Sequence, residues 1–130
     1  MPSREDVDPL EVPALLPFIF LIDVLDDPQD FRFRLAGTHF REFAGEEVTG
    51  KRIGEIFPPE FCAEVRMQWA GVVAEKAPKS GSGQLWVPGR EYVSWEGVIL
   101  PLSPDGDRVT MFLGGGIFAS ESDAHKYRAR

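Results

Sequence analysis

The stretch 31–38, Phe-Arg-Phe-Arg-Leu-Ala-Gly-Thr, followed by Thr49-Gly50-Lys51, decides the fold of this 130-residue chain. Its two phenylalanines and its leucine alternate with two arginines, which is the period-two pattern of a strand with one buried face. The Gly37-Thr38 pair ends that strand and can start a short helix, because Thr is a good N-cap and Gly accepts unusual backbone angles. A strand that leads directly into short helices indicates a small domain whose helices cover its sheet.

A second strand is predicted on the N-terminal side of this stretch. Residues 18–24 are rich in aromatic and branched apolar side chains, and residues 26–30, Asp-Asp-Pro-Gln-Asp, form a polar turn. The two strands therefore form a hairpin. Residues 1–17 precede it as an arm whose leucines are expected to pack on the domain. A long regular helix is excluded there by Pro9, Pro13 and Pro17.

The middle of the chain is predicted to be helical and broken into short pieces. A helix over residues 38–44 ends at Gly45, and one further turn is expected at residues 53–57. The longest helix runs from about residue 59 to residue 75 and has proline in its first turn. Its apolar face is formed by Phe61, Val65, Trp69 and Val72.

The last third of the chain is predicted to be strand, over residues 84–87, 92–101 and 109–118. Strong turn signals separate these strands. Strands at both ends with helices between them indicate an α+β domain with an antiparallel sheet. We assign this domain to residues 18–118, with residues 119–130 as a C-terminal tail.

Composition and charge exclude several classes of function. The net charge of -7 is unsuited to neutralising nucleic-acid phosphates. One cysteine forms no internal disulfide, and the four ligands of a structural zinc are lacking. No signal peptide is recognised, and the apolar run 15–25 is too short to span a bilayer. We expect a cytoplasmic protein with no metal site, no nucleic-acid partner and no membrane insertion.

Five short segments resemble the PAS superfamily, and in particular the compact PAS proteins of alphaproteobacteria. They are Asp8-Pro9, Val12-Pro13, Leu15-Leu16-Pro17, residues 31–38 and Val48-Thr49-Gly50-Lys51, within a resemblance that extends over about residues 8–118. The resemblance implies a five-stranded antiparallel sheet in the order 2-1-5-4-3, with several short helices and one longer helix on one face. It also implies a sensor or dimerisation module, of a kind that often holds a small ligand between helices and sheet.

The sequence departs from the cofactor-binding branches of that superfamily. Flavin-binding photosensors carry a reactive cysteine in an Asn-Cys-Arg-Phe-Leu type segment, whereas Cys62 lies in Pro-Glu-Phe-Cys-Ala and is expected to be a small buried side chain. Haem-binding members generally offer a histidine from the long helix. Residues 59–75 contain none, and His39 lies instead in the first short helix, where a polar surface position is expected. The cofactor is unknown from the sequence, and flavin and haem are not expected.

Strand alternation and the helical face predict the residues that would line a ligand cavity. Trp95 and Ile99 have the same parity in their strand and are expected to face the helices. If Thr110 faces outward, Met111 and Leu113 face inward. The pocket candidates are Phe33, Leu35, Phe43, Ile56, Trp69, Val73, Trp95, Ile99, Met111 and Leu113. The same residues would equally form a dry, filled core.

The opposite parity places a second apolar set on the outer face of the sheet. Such a set is too large to leave bare on a monomer, so we expect the arm, a second subunit or both to cover it. The dimer-interface candidates are Leu15, Leu16, Trp86, Val98, Leu100 and Phe112. A bulge would shift the parity by one residue and reverse these assignments. One bulge is predicted at Gly114-Gly115-Gly116.

The sequence favours a sensory or regulatory module over an enzyme. No arrangement of serines, histidines and acids forms a catalytic constellation, and Arg32 and Arg34 are expected on a solvated face. By the PAS resemblance, we expect a homodimer that acts through a downstream signalling protein and has room for a small apolar ligand. The chain is either a complete protein or the sensor fragment of a longer one.

Two alternatives differ from this hypothesis in what the interior contains. A small α+β-barrel enzyme of the ketosteroid-isomerase type needs an acid or histidine directed into an apolar pocket. A ligand-free dimerisation module would have a filled core. A buried carboxylate in a cavity distinguishes the first alternative, and the absence of a cavity distinguishes the second.

Overall fold

The computed structural model describes residues 1–8, 11, 13–26, 29–87 and 91–120. Of residues 85–87, 91–92 and 120, it describes the backbone only. The 3-10 helices Arg4–Asp6 and Pro13–Phe18 precede the domain. The strands are β1 (Ile19–Asp26), β2 (Gln29–Ala36), β3 (Lys79–Val87), β4 (Glu91–Leu102) and β5 (Met111–Ser120). The helices are α1 (Thr38–Ala44), α2 (Ile53–Ile56) and α3 (Pro59–Glu75).

The five strands form one antiparallel sheet in the order β2-β1-β5-β4-β3. This confirms the predicted α+β class and the predicted strand order. β3 begins at Lys79, five residues before the predicted start at Gln84. Glycines weaken that segment as an isolated strand, but the indole of Trp95 on β4 covers Gly81 and Gly83. Pairing with β4 therefore extends β3 beyond its own propensity.

The Thr49-Gly50-Lys51 turn docks along the edge of β2. The Phe33 N–H donates to the Lys51 carbonyl at 2.9 Å, and the Gly50 N–H donates to the Phe33 carbonyl at 2.7 Å. Gly50 has a φ of 86°, a left-handed conformation that favours glycine. Glu47 accepts hydrogen bonds from the Thr49 hydroxyl and backbone, which lower the pKa of Glu47 to about 2. The strand β2 and the Thr49-Gly50-Lys51 turn are thus hydrogen-bonded to each other across this edge.

A bulge in β2 changes the direction of one predicted pocket residue. Ile22 pairs with Phe33 and Leu21 pairs with Leu35, so Arg34 is an extra residue between the two pairs. Because paired residues share a face, Phe33 faces the helices and Leu35 faces the outer side of the sheet, where it is 45% exposed. The placement of Leu35 in the pocket was therefore wrong.

The parity predicted for β5 was also wrong. Phe112 is fully buried and its ring lies 5.6 Å from that of Phe31 and 5.7 Å from that of Trp69 on α3. Phe112 therefore faces the helices, and Met111 and Leu113 face the outer side. All three side chains are apolar, so the sequence offered only Thr110 as a guide. The pairing of Phe112 with Pro101, on the helix-facing parity of β4, decides the direction.

The glycine run in β5 forms no bulge, contrary to prediction. Gly114, Gly115 and Gly116 pair in unbroken register with Ile99, Val98 and Gly97. A Cβ atom at Gly114 would lie 2.1 Å from the ring of Phe20 on β1. The glycines are therefore explained by close packing of a phenyl ring on the strand.

The arm packs against the domain through the 3-10 helix Pro13–Phe18. A Cβ atom at Gly37 would lie 2.3 Å from the Leu16 carbonyl oxygen, and the Gly37 N–H donates to the Ile19 carbonyl at 2.8 Å. The Pro2 carbonyl accepts a hydrogen bond of 2.8 Å from the Ser103 N–H, just after the end of β4. Leu15 remains 53% exposed, so the arm leaves part of its own apolar surface open.

Candidate functional site

A cavity lies between α3 and the helix-facing side of the sheet. Its long wall is one face of α3, which contributes Phe61, Glu64, Val65, Gln68, Trp69 and Val72. These residues recur at intervals of three and four, which is the spacing of one helical face. The opposite wall is formed by Phe20, Phe33, Trp95, Ile99 and Phe118 on the strands, with Phe40 and Phe57 from the segments that connect the layers.

Aromatic rings that contact one another form most of this lining. Phe33 stacks on Phe40 with centroids 4.9 Å apart, and Phe40 meets Phe57 edge to face at 6.0 Å. Phe61 on α3 meets Trp95 on β4 at 5.9 Å in an edge-to-face arrangement. Such pairs are favourable beyond the area they bury, so the walls hold their shape around the space that they enclose.

The cavity is small, and glycines form part of its floor. It offers about 70 Å³ to the centre of a water-sized molecule. Gly81, Gly97, Gly115 and Gly116 border it, where the missing side chains leave backbone atoms against the empty space. For comparison, an apolar protein cavity of roughly 150 Å³ binds benzene. The cavity therefore admits a single small ring at most.

Charged and amide side chains gather at one end of the cavity. The Gln68 amide nitrogen donates to Glu64 at 3.3 Å, and a Cβ atom at Gly81 would lie 3.7 Å from Gln68 Oε1. Lys79 pairs with Ile99 and so shares its helix-facing side, but it is exposed. Gln68, Glu64 and Lys79 mark a mouth between α3 and β3. The interior beyond them is lined mainly by apolar side chains.

The predicted pocket residues divide into three groups in the structure. Phe33, Trp69, Trp95 and Ile99 line the cavity. Phe43, Ile56 and Val73 pack around it without lining it: Phe43 stacks on Phe118 at 4.5 Å, and the other two pack on the core. Leu35, Met111 and Leu113 lie on the outer face. The face predicted for α3 contained the missed lining residues Phe61, Val65 and Val72, whereas Phe20 and Phe118 could be found only with the correct register.

The outer face carries the other predicted set in altered form. Val98 is 39% exposed and Leu100 is half-buried there. Phe112 is absent from this face, and the side chain of Trp86 lies outside the described residues. Leu35, Met111 and Leu113 lie on this face, and the pairs Leu100–Leu113 and Leu21–Leu113 connect the strands across it. We call the set Leu35, Val98, Leu100, Met111 and Leu113 the outer apolar surface.

Two carboxylates are buried in the first hairpin, and both are paired with arginines. Asp30 on β2 accepts hydrogen bonds from Arg66 on α3 at 3.2 and 3.3 Å, and Arg52 approaches it at 3.6 Å. Asp23 on β1 forms ion pairs with Arg34 at 2.8 Å and with Arg32 at 3.2 Å. The two arginines, which were predicted to lie on a solvated face, thus pair with the same carboxylate. Neither carboxylate lines the cavity.

His39 and Cys62 are both shielded from solvent, His39 partly and Cys62 almost completely. The His39 imidazole is half-buried, contrary to the predicted surface position, and its Nε2 lies 3.0 Å from the Phe118 N–H. Partial burial lowers the pKa of His39, although the carboxylate of Glu42 opposes this effect. Cys62 is buried as predicted, and burial raises the pKa of its thiol. A buried thiol with a raised pKa is poorly nucleophilic.

Among residues 1–8, 11, 13–26, 29–87 and 91–120, no group of three or more histidines, cysteines and acids is placed to hold a metal ion. In the same part of the chain, no helix is long and apolar enough to cross a membrane.

Comparisons with known proteins agree with this geometry. The sequence matches the PAS domain family over residues 1–116. No curated protein sequence matches significantly.

Solved structures of light-oxygen-voltage (LOV) proteins share the fold. One, described as "Flavin Analogue Sheds Light on Light-Oxygen-Voltage Domain Mechanism", is 15% identical over 91% of this chain and 88% of its own, with a TM-score of 0.64. The LOV protein of Rhodobacter sphaeroides is 16% identical over 89% of this chain and 70% of its own, with a TM-score of 0.56. An RNA-binding LOV receptor is 15% identical over 94% of this chain but only 36% of its own, with a TM-score of 0.57.

Proposed function

Because this chain belongs to the PAS domain family, we propose that it is a sensory domain that binds a small molecule in the aromatic cavity and transmits the change through protein contacts. The observation that carries the proposal is the cavity itself. It is walled by one face of α3 and by the sheet, so a ligand inside it would contact both layers of the domain. The PAS fold is typically not enzymatic, and the proposed function includes no reaction.

The contacts between α3 and the sheet transmit the effect of a bound ligand to the surface of the domain. Trp69 and Phe61 on α3 meet Phe31 and Trp95 on the sheet at 5.3 and 5.9 Å. Occupation of the cavity favours those arrangements of α3 that leave room for the ligand, and so changes their populations. The Asp30–Arg66 pair holds the middle of α3 to β2. Movement is therefore expected at the ends of α3 rather than at this point.

We propose that the outer apolar surface is the contact through which the domain forms a homodimer. Val98 and Leu35 are exposed there beside half-buried Leu100, Met111 and Leu113. Contiguous apolar surface of this kind marks protein contacts. The exposed Leu15 of the arm offers further apolar area for such a contact. A cytoplasmic location, and a downstream signalling protein that receives the change, complete the proposal.

Flavin, which the LOV structures suggest, does not fit the described residues. The cavity of about 70 Å³ admits a single small ring at most, whereas a flavin carries three fused rings. Cys62 is buried, does not border the cavity and has a raised thiol pKa. No step in the proposed function involves a flavin. Nucleic acid is likewise not a proposed partner, because the net charge of -7 opposes phosphate binding.

The two alternatives are less well supported by the same geometry. A ketosteroid-isomerase type of enzyme needs an acid or histidine in the pocket. Among the described residues, the buried acids Asp23 and Asp30 are paired with arginines outside the cavity, and the two acids that border it, Glu64 and Glu96, are exposed. A ligand-free dimerisation module requires a filled core, and the space beside Trp69 argues against it.

Native mass spectrometry of the purified chain tests the sensory proposal. A co-purifying small molecule that is released on denaturation supports sensing. A clean protein mass, combined with no change in hydrogen exchange of α3 on addition of a small-molecule extract of the expressing cells, would overturn it.

Sedimentation of Val98→Glu tests the dimer contact, with Met67→Glu as the matched control because Met67 is 70% exposed on α3. A charge at Val98 should shift the chain towards monomer, whereas Met67→Glu should sediment as the native chain does. The dimer proposal fails if the native chain is a monomer or if Val98→Glu sediments unchanged.

A further inference from the structure

The size and the lining of the cavity define the class of ligand more narrowly than the fold does. By volume, the cavity of about 70 Å³ is smaller than the roughly 150 Å³ of an apolar protein cavity that binds benzene, so one six-membered ring is the largest group that it admits. By chemistry, the lining is mainly apolar except at the mouth. A ligand with a charge on its ring would lose hydration there without gaining a buried partner.

The aromatic walls favour a flat, unsaturated ring over a branched aliphatic group. Rings from α3, from α1 and from four strands approach the space from different directions. Phe61 and Trp95 already meet edge to face at 5.9 Å, and Trp69 meets Phe112 in the same way at 5.7 Å. A ligand ring would join this arrangement with the same geometry, in which ring edges meet ring faces.

The mouth offers a hydrogen-bond acceptor and a donor at one point. The amide nitrogen of Gln68 is held by Glu64 at 3.3 Å, which directs Gln68 Oε1 over Gly81 as an acceptor. The absence of a side chain at Gly81 keeps that oxygen accessible. Lys79 lies on the same side of β3 and supplies a donor. A hydroxyl group donates one hydrogen bond and accepts others, so it suits both partners.

We propose that the cavity binds a neutral single-ring aromatic molecule with one hydroxyl group, of the phenol type, with the ring among the phenylalanines and the hydroxyl at Gln68. This inference rests on the proposed sensory function and adds the ligand class. It assigns Gln68 as the residue that selects the hydroxyl. Benzoate is rejected because its carboxylate would lose hydration at a mouth where the repulsion of Glu64 offsets the attraction of the exposed Lys79. Naphthols and flavins are rejected by size.

Titrations of the full chain followed by nuclear magnetic resonance test the ligand class. The probes are phenol, toluene, benzoate, 2-naphthol and riboflavin. We expect saturable shifts of the indole N–H signals of Trp69 and Trp95 with phenol and toluene, and none with the others. One net hydrogen bond corresponds to a preference for phenol over toluene of about three- to tenfold.

Gln68→Leu separates recognition of the hydroxyl from the fit of the ring. This variant should bind toluene as the native chain does and lose the preference for phenol, while Gln84→Leu, at an exposed position of β3, should change neither. Equal binding of phenol and toluene by the native chain would overturn the role of Gln68. Binding of 2-naphthol or riboflavin in place of phenol would overturn the single-ring class and leave the sensory function standing.

Absence of binding by every probe would overturn the ligand class. The proposed sensory function then stands or falls separately, on whether native mass spectrometry finds a co-purifying molecule of another kind.

Discussion

Replacing glycine by alanine should have opposite effects at two positions of this chain, and the difference tests the packing of the arm. Gly37 lies between β2 and α1 with φ at -70° and ψ at 166°, angles that alanine adopts without strain. A Cβ atom there would nevertheless lie 2.3 Å from the Leu16 carbonyl oxygen and 2.4 Å from that of Pro17. The cost of Gly37→Ala is therefore entirely steric.

The magnitude follows from what would have to move. Overpacking costs about 1–3 kcal/mol where side chains can adjust. At Gly37 the obstructing atoms are backbone atoms of the 3-10 helix Pro13–Phe18, so we expect the upper part of that range. Reduced freedom of the unfolded chain returns about 0.4–1 kcal/mol. The free energy of unfolding should fall by about 2 kcal/mol.

Gly71 is the matched control because it lies inside α3, where an added Cβ atom would have no neighbouring atom within 4 Å. Gly71→Ala should raise the free energy of unfolding by about 0.5–1 kcal/mol, since alanine is the better helix former. The two variants should thus differ by about 3 kcal/mol, or about 12 °C in Tm for a domain of this size. Urea unfolding followed by circular dichroism measures both, with equal m-values required. The reasoning is refuted if Gly37→Ala is as stable as Gly71→Ala.

Three further perturbations address the ion pair, the histidine and the core. Asp30→Ala should lower the free energy of unfolding by about 1–3 kcal/mol, because the charge-assisted bonds to Arg66 are lost. The control is Asp107→Ala, since Asp107 pairs with Lys76 at a position that is 85% exposed. In the same urea experiment, this control should change the free energy of unfolding by less than about 1 kcal/mol. The pKa of His39 is lowered in the folded state, so the unfolded state takes up a proton on His39 first as the pH falls. The stability should therefore decline below about pH 6.5. In thermal unfolding, His39→Gln should lose less stability over this pH range than the native chain does. Phe112→Ala should lower the free energy of unfolding by about 3–5 kcal/mol, while Met111→Ala on the outer face should cost less than half as much; similar losses would contradict the corrected parity of β5.

The interior of the domain was only partly predictable from the sequence. Phe33 and Trp95 were placed correctly because each has polar neighbours in its strand, and Trp69 because of its clear helical period. Ile99 was placed correctly because it shares the parity of Trp95. Alternation failed in β5, where Met111, Phe112 and Leu113 are all apolar and either parity buries a similar area. It failed at Leu35 because the bulge at Arg34 depends on the pairing of β2 with β1, and nothing in the local pattern announces it.

The sequence by itself determined the order of the elements, the antiparallel sheet and the apolar face of α3. These features follow from local rules: side-chain period, turn residues and the positions at which proline and glycine end an element. Only the tertiary structure decided which face each β5 residue takes, which glycines are required and where the cavity lies. Those outcomes depend on register and on how rings such as Phe20 fit against Gly114. Contacts between distant segments fix them, and no single segment contains that information.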